Sequence, residues 1–166
     1  MADWCFRAVR GRTLLGLDLT LPGDLPADRT LVVVAFQRWH QARVDGWIAR
    51  AVAAGVPPAT RGQAGPIPVA VVELPVLSTR WRPVRRFIDG GMTAGIGDPD
   101  VLARTITIYT DVAAFQRSLG IPDGDDVHAL VVTREGAILA RASGEADAAS
   151  WAAISFVLIG VGSGGA

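Results

Sequence analysis

Runs of consecutive hydrophobic residues alternate along this chain with segments of helical periodicity. Thr30–Phe36 (TLVVVAF) is apolar at successive positions, which is typical of a strand covered on both faces. From Gln41 to Ala54 the apolar residues recur at three- and four-residue spacing, and Gly55-Val-Pro-Pro58 ends the segment. The two patterns predict a central strand followed by an amphipathic helix.

The same alternation continues to the C-terminal part of the chain. It predicts strands at Pro68–Leu74, Thr105–Thr110 and Ala129–Thr133, short helices at Trp81–Ile88 and Val112–Leu119, a hairpin partner at Ala137–Ser143, and a final helix from Glu145. Thr13–Leu21 is predicted to form an outer strand or hairpin. Glycine and proline make Gly55–Pro68 and Gly90–Asp100 the expected loops, the second of them flexible.

This element order predicts an α/β fold, a three-layer α/β/α sandwich with a mixed central sheet. One domain is expected over residues 1–166, with 1–12 and 162–166 as peripheral tails. Seven residues are expected to be buried in neighbouring strands of the sheet: Val32, Val34, Phe36, Val69, Val71, Leu130 and Val132.

Two segments resemble the thioredoxin-like superfamily. Trp39-His40-Gln41-Ala42-Arg43, after the first buried strand, stands where thioredoxins have Trp-Cys-x-x-Cys. The stretch Thr105–Gly144, with Tyr109-Thr-Asp111, is similar to the second half of peroxiredoxins and of their cysteine-poor relatives. The pattern Phe36, Gln37 and Trp47 is similar to mitochondrial ATP synthase assembly factors of this fold. The resemblance implies a thioredoxin-like fold that has lost both active-site cysteines.

Composition narrows the function. Sixteen basic and sixteen acidic residues give zero formal charge, which argues against a nucleic-acid partner. Cys5 is the single cysteine, so no intramolecular disulfide or Cys-x-x-Cys pair exists, and we expect neither thiol-disulfide oxidoreductase nor peroxidase activity. A free thiol suits a reducing compartment and predicts a cytoplasmic location. Apolar runs fall short of the ~20 residues of a membrane span.

The resemblance makes three residues candidates for a binding surface at the former active-site turn. His40 lies where the fold presents its nucleophile, and the alternative is an exposed loop histidine packed beside Trp39. Arg43 is a candidate anion ligand at the helix start, the alternative being a solvated surface arginine. An ungapped match to the thioredoxin pattern places His128 at the family's cis-proline, facing His40.

Further candidates lie outside that turn. Trp39 and Trp81 are expected at element starts, where a contact surface exposes aromatic residues. Arg85 belongs to the densest basic cluster, which either recognises an acidic group or forms a solvated helix face. Tyr109 and Asp111 follow from the peroxiredoxin-like segment, and Asp111 could assist a metal. Two histidines alone are too few for most zinc sites, so no metal or other cofactor is predicted.

Two functions remain. The first is a non-redox binding or assembly module that holds a protein partner, or a second copy as a homodimer, on the former active-site surface. The alternative is an enzyme or small-ligand binder, for an anion or a metal, that uses His40, Arg43 and His128 in place of thiol chemistry. No catalytic residue is assigned, and the first function is preferred because the nucleophile is absent.

Overall fold

The three-dimensional structure is a computed structural model that describes residues 4–59, 67–96 and 98–160. Its strands are β1 (Val9–Thr13), β2 (Asp18–Leu21), β3 (Ala27–Ala35), β4 (Ile67–Ser78), β5 (Ile106–Thr110), β6 (His128–Thr133) and β7 (Ile138–Ser143). Its α-helices are α1 (Gln41–Ala53), α2 (Arg85–Ile96), α3 (Pro99–Arg104), α4 (Val112–Leu119) and α5 (Ala148–Leu158). Short 3-10 helices at Arg38–His40 and Thr79–Val84 precede α1 and α2.

The strands form one mixed sheet in the order β2-β1-β5-β4-β3-β6-β7. Strands β3, β4 and β5 run parallel, whereas the pairs β1–β5, β1–β2, β3–β6 and β6–β7 are antiparallel. The α/β class and the mixed sheet predicted from the sequence are therefore confirmed. The carboxyl ends of parallel strands β3 and β4 meet at one edge of the sheet, where α/β proteins place their ligands.

Two hydrophobic cores lie on opposite sides of the sheet. One contains residues of β3, β4, β5 and β6 together with Phe115 and Leu119 of α4. The other packs the alternate residues of β3, β4 and β6 against α1 and α5. The runs on β3, β4 and β6 are apolar at successive positions because both of their faces are covered.

Helix α1 follows the periodicity expected of it. Val44, Trp47, Ile48 and Ala51 form its buried stripe, as the sequence predicts. The indole N–H of Trp47 donates to the carbonyl of Gly144 at 2.9 Å, which satisfies the polar atom of a fully buried side chain. Trp47 is a core residue that fixes α1 on the sheet.

Two expectations about loops and tails are wrong. Residues 5–12 are not a peripheral tail, because Phe6 is buried and Val9–Thr13 pairs with β5. Gly90–Asp100 is not a flexible loop, since α2 continues through Gly90, Gly91 and Gly95 to Ile96 and α3 follows it. Helix propensity disfavours glycine by only about 1 kcal/mol, which the rest of a helix overrides. The tail predicted at 162–166 and part of the loop predicted at Gly55–Pro68 lie outside the described residues.

The predicted buried set is confirmed at five of seven positions. Val32, Val34, Val71, Leu130 and Val132 are fully buried. Phe36 and Val69 are only partly buried, because Phe36 follows the end of β3 and Val69 lies near the start of β4. No helix in the described part of the chain is long and apolar enough to span a bilayer.

Candidate functional site

The turn that follows β3 is organised around the imidazole of His40. Its Nδ1 accepts the backbone N–H groups of Phe36 and Gln37 at 3.1 and 3.3 Å, and its Nε2 lies 3.3 Å from the carbonyl oxygen of Asp125. Because Nδ1 is the acceptor, the ring proton lies on Nε2. His40 is fully buried, so the expectation of an exposed loop histidine is wrong. Both ring nitrogens serve the fold, and neither lone pair nor proton is available to a ligand.

Trp39 and Arg43 form the outer layer of this turn. The Trp39 ring is 58% exposed and lies edge-on to His40, with ring centroids 4.2 Å apart. The guanidinium carbon of Arg43 lies 5.5 Å from the Trp39 ring centroid, and its Nη1 donates to Asp126 at 2.6 Å. An aspartate thus balances the charge of Arg43. This pairing disfavours the anion site predicted there, because a ligand anion would have to displace Asp126.

His128 begins β6 directly opposite Val34, at the carboxyl end of β3. Desolvation by burial lowers the pKa of His128 below its ordinary value of 6.5, and the nearby charge of Arg141 lowers it further. Asp126 opposes this shift, and His40 contributes a small lowering of the same pKa. The peptide bond before His128 is trans, unlike that of the family's cis-proline. A shared ligand site remains a prediction.

The other four candidates are dispersed. Asp111 is the N-cap of α4 and accepts the backbone N–H of Ala114 at 3.0 Å, so its carboxylate has a structural role. Tyr109 is buried and donates to Asp89 at 2.9 Å, beneath a second cavity. Trp81 is 43% exposed and lines a groove near β3. The backbone of Arg85 starts α2, while its side chain lies outside the described part of the structure.

That groove lies at the carboxyl ends of β3 and β4 and has a volume of about 650 Å³. The 3-10 helix at Thr79–Val84, helix α2 and helix α4 supply the rest of its wall. Its lining comprises Phe36, Gln37, Arg38, Val76, Leu77, Ser78, Arg80, Trp81, Ile88, Val112, Gln116 and Gly124. Gly124 comes close to the side chain of Phe36, because a Cβ added there would lie 3.2 Å from that of Phe36. We call this feature the carboxyl-end groove.

Charge in the carboxyl-end groove is one-sided. Arg38 and Arg80 line it, and its described lining contains no carboxylate. The guanidinium carbon of Arg80 lies 5.2 Å from the Trp81 ring centroid, which keeps one cation stacked on an aromatic wall. Aromatic, aliphatic and cationic groups together can bind acidic ligands that also carry apolar side chains.

Several groove residues were not identified from the sequence as site residues. Arg38, Ile88 and Gln116 follow or face the ends of two parallel strands, and their types alone carry no signal of function. The informative signal is positional: side chains after the carboxyl ends of neighbouring parallel strands converge. Applying that rule to the ends of Thr30–Phe36 and Pro68–Leu74 identifies part of the groove without a structure.

Thiol chemistry is remote from this groove. The backbone of Cys5 forms an isolated antiparallel β-bridge with Ala137, beside the β6–β7 turn. The backbone N–H of Phe6 donates to the Gly136 carbonyl at 2.8 Å. Since Thr133 of β6 pairs with Arg29 at the start of β3, this turn lies at the opposite end of the strands. No group of three histidine, cysteine or acidic residues able to hold a metal ion occurs within the described ranges.

Comparison with known proteins defines the fold. No protein-family model matches the sequence, and no curated protein matches it. A putative electron transfer protein from Aquifex aeolicus VF5 aligns over 99% of this chain and 98% of its own, with a TM-score of 0.61 and 12% identity. The exposed lipoprotein thioredoxin Etrx1 from Streptococcus pneumoniae strain TIGR4 aligns over 88% and 96%, with a TM-score of 0.55 and 10% identity.

A third similar structure is BsSco, a member of the Sco family of cytochrome c oxidase assembly proteins. It aligns over 93% of this chain and 92% of its own, with a TM-score of 0.57 and 12% identity. At such low identities these likenesses establish the fold alone. The chain has a thioredoxin-like fold and, with Cys5 as its one cysteine, lacks the cysteine pair at the active-site turn.

Proposed function

We propose that this protein is a non-redox binding module whose carboxyl-end groove holds an extended, acidic and partly apolar segment of a protein partner. The observation that carries the proposal is the combination of two arginines, in a groove lining without carboxylates, with exposed aromatic residues at this edge of the sheet. Arg38 and Arg80 supply positive charge, while Trp81 and Phe36 supply contact area. Tryptophan and arginine are the residues that most often dominate binding energy at protein interfaces.

The surface around the groove extends the same character. Trp39 is exposed beside Arg38, and Phe87 on α2 is 88% exposed next to Ile88 of the groove wall. Large exposed aromatic side chains grouped around a concavity mark interaction surfaces in soluble proteins. A partner segment that runs along the groove would therefore cover these rings as well as the two arginines.

The small-ligand alternative finds less support at this turn. It requires His40, Arg43 and His128 to face a ligand, yet both nitrogens of His40 bind the backbone and Arg43 is paired with Asp126. Assembly roles occur on the same fold, as the name of the Sco family member indicates. We also propose a cytoplasmic location, in which the thiol of Cys5 stays reduced.

The test uses two synthetic peptides with the same alternating leucine and phenylalanine residues. One carries glutamate at the intervening positions, and the other carries lysine. We expect isothermal titration calorimetry to show saturable binding of the glutamate peptide only. Truncating Trp81 to alanine should weaken binding about thirtyfold or more, equivalent to about 2 kcal/mol, because it removes an aromatic anchor.

Charge reversal supplies a second arm with a matched control. Arg38→Glu and Arg80→Glu should each weaken binding of the glutamate peptide about tenfold and make the remaining affinity less sensitive to salt. Arg7→Glu reverses an exposed arginine outside the groove and should leave the affinity unchanged. Equal binding of both peptides, or an equal loss in the Arg7 variant, would refute the proposal. Sedimentation of the free protein reports separately whether a second copy occupies the groove.

A further inference from the structure

One side of the sheet changes character between its two halves. On β3, β4 and β6 the side covered by α1 and α5 is apolar, with Leu31, Val33, Val71, Ala129 and Val131 in its core. On β1, β2 and β5 the alternate positions on that side are Arg10, Arg12, Asp18, Thr20, Thr107 and Tyr109. We call the second set the polar sheet face.

A cavity of about 500 Å³ lies over the polar sheet face. Asp24, after β2, and Asp89 of α2 also line it, and Gly11 and Leu19 complete the lining. Two residues at the base of the cavity are buried, since Thr107 is 1% exposed and Tyr109 is 8% exposed, whereas Arg10, Asp18, Thr20 and Asp24 around them are exposed. The cavity is thus a concavity with a buried base and charged, solvent-facing sides, and its volume falls in the range of about 300–1,000 Å³ typical of small-molecule sites.

Donors cluster on the floor of this cavity. Arg12 lies directly opposite Thr107 in the β1–β5 register, and Arg10 lies two residues away on the same face of β1. The Thr107 hydroxyl has no hydrogen-bond partner among the described residues, and Arg12 meets Asp18 only at 3.8 Å. The hydroxyl oxygen is covered in this structure, so it reaches a ligand only after a change of the Thr107 rotamer. Two guanidinium groups and a hydroxyl form a donor set suited to a carboxylate.

Hydrogen-bond acceptors lie on the walls of the same cavity. One oxygen of Asp24 accepts the backbone N–H of Thr20 at 2.7 Å, and one oxygen of Asp89 accepts the hydroxyl of Tyr109 at 2.9 Å. Each carboxylate is thereby held in place through a single oxygen. The second oxygen of each can accept a bond from a ligand ammonium group, because an ionised carboxylate has about four lone-pair sites.

We propose that this cavity binds a zwitterionic ligand built from amino acids, of the size of a dipeptide or tripeptide. Its carboxylate lies at Arg10, Arg12 and Thr107, and its ammonium group lies between Asp24 and Asp89. The lining charge supports a ligand of both signs rather than a simple anion, since three aspartates, with Asp18, outnumber the two arginines. The inference rests on the polar sheet face and is independent of the carboxyl-end groove.

Dialanine is the probe, with N-acetyl-dialanine and dialanine amide as its singly blocked forms. Titration of the full chain is followed by amide chemical shifts of Gly11, Thr20 and Thr107. We expect saturable shifts with dialanine and at least about tenfold weaker binding of each blocked form, because each loses one charge contact. No saturable binding of dialanine, or equal binding of the blocked forms, overturns the proposal.

Three variants separate a site from a merely structural feature. Thr107→Val keeps the side-chain volume and removes the unpartnered hydroxyl, so the denaturant midpoint should rise while dialanine binds about tenfold more weakly. Arg10→Gln should weaken dialanine by a similar factor. Arg7→Gln, at an exposed site outside the cavity lining, should leave it unchanged. Unchanged affinity in Thr107→Val and Arg10→Gln, or an equal loss in Arg7→Gln, would also overturn the proposal.

Discussion

The two halves of the sheet differ in the polarity of the same side. On β3, β4 and β6 that side is apolar and lies under α1 and α5, and Trp47 is fully buried there. On β1, β2 and β5 it carries arginines, aspartates and hydroxyl groups around a cavity. Uniform apolar packing would stabilise the second half more, because buried polar groups without partners are costly. The polar half therefore contributes less apolar burial to stability, and it is the half in which we propose a ligand site.

Glu73 lies at the border between the two halves. It is buried on β4, aligned with Val33 of the apolar half on one side and with Thr105 next to β5 on the other. Its carboxylate accepts the hydroxyl of Thr105 at 2.8 Å, and its second oxygen lies 3.9 Å from Nε of Arg104. Glu73 is thus an ionisable residue at this border whose negative charge is only partly balanced by its neighbours.

The largest expected effect on stability comes from placing a polar side chain in the apolar half. Val131→Thr preserves shape but buries a hydroxyl in the core under α1 and α5, where the cross-strand neighbours of residue 131 are the apolar Leu31 and Ala140. We expect the free energy of unfolding to fall by about 1–3 kcal/mol in a urea titration. The reciprocal change, Thr107→Val, should raise it.

Val69→Thr is the matched control for that exchange. Val69 packs at the margin of the same core and is only partly buried, so a hydroxyl there can reach water. Its cost should stay within about 0.5 kcal/mol. If Val131→Thr and Val69→Thr cost the same, or if Thr107→Val destabilises the protein, the contrast between the two halves is not energetic.

The next effect concerns the pH dependence that Glu73 introduces. Burial raises the pKa of the Glu73 carboxyl above its ordinary value of 4.5, despite the lowering effects of Thr105 and Arg104. The folded protein then binds more protons than the unfolded chain between 4.5 and the raised value. Stability is therefore highest at low pH in this window and falls as pH rises, by about 1.4 kcal/mol for each unit of pKa difference.

Glu73→Gln should remove this loss. Urea titrations from about pH 4 upward should show the variant gaining on the wild type as pH increases, with a constant difference above the folded pKa. Glu135→Gln, in the exposed β6–β7 turn, gives the baseline. A difference that is independent of pH would mean that the pKa of Glu73 is the same in the folded protein and in the unfolded chain.

The sequence predicts the apolar half far better than the polar one. Thr30–Phe36 and the α1 stripe are recognisable because their hydrophobic periodicity is local. The cavity depends on pairing β1 with β5, and Arg12 and Thr107 are distant in sequence and meet only through that register. Polar alternation on such strands is also the ordinary pattern of a solvated face, so enclosure is not visible in it.

The candidate site shows the same limit. The sequence locates Trp39 and Trp81 as exposed aromatic residues, and both are exposed. It does not show that His40 is buried, because the burial depends on a bond to the Asp125 carbonyl, which lies in a distant loop. Nor does it pair Arg43 with Asp126. Contacts supplied by loops follow from the folded path of the backbone, which residue periodicity does not encode.

The smallest expected effect on stability comes from the titration of His128. This residue and Arg141 lie toward the β6–β7 edge, on the opposite side of the sheet, where both halves are apolar in the core. Desolvation, and then Arg141, lower the pKa of His128 below 6.5. The unfolded chain therefore takes up this proton first. The associated stability is fully present above pH 6.5 and is lost as pH falls toward the folded pKa, and His128→Gln should remove that loss.

Two charge variants near His128 should shift its titration midpoint in opposite directions. A general disturbance of the fold would shift both midpoints in the same direction. Because Asp126 raises the pKa of His128 and Arg141 lowers it, Asp126→Asn should move the NMR titration midpoint of the His128 ring down and Arg141→Gln should move it up. Arg141→Gln should restore the midpoint only in part, since burial remains as the larger cause. Midpoints that move together in both variants, or a wild-type midpoint at or above 6.5, would show that this edge of the sheet is open to water and not desolvated by its core.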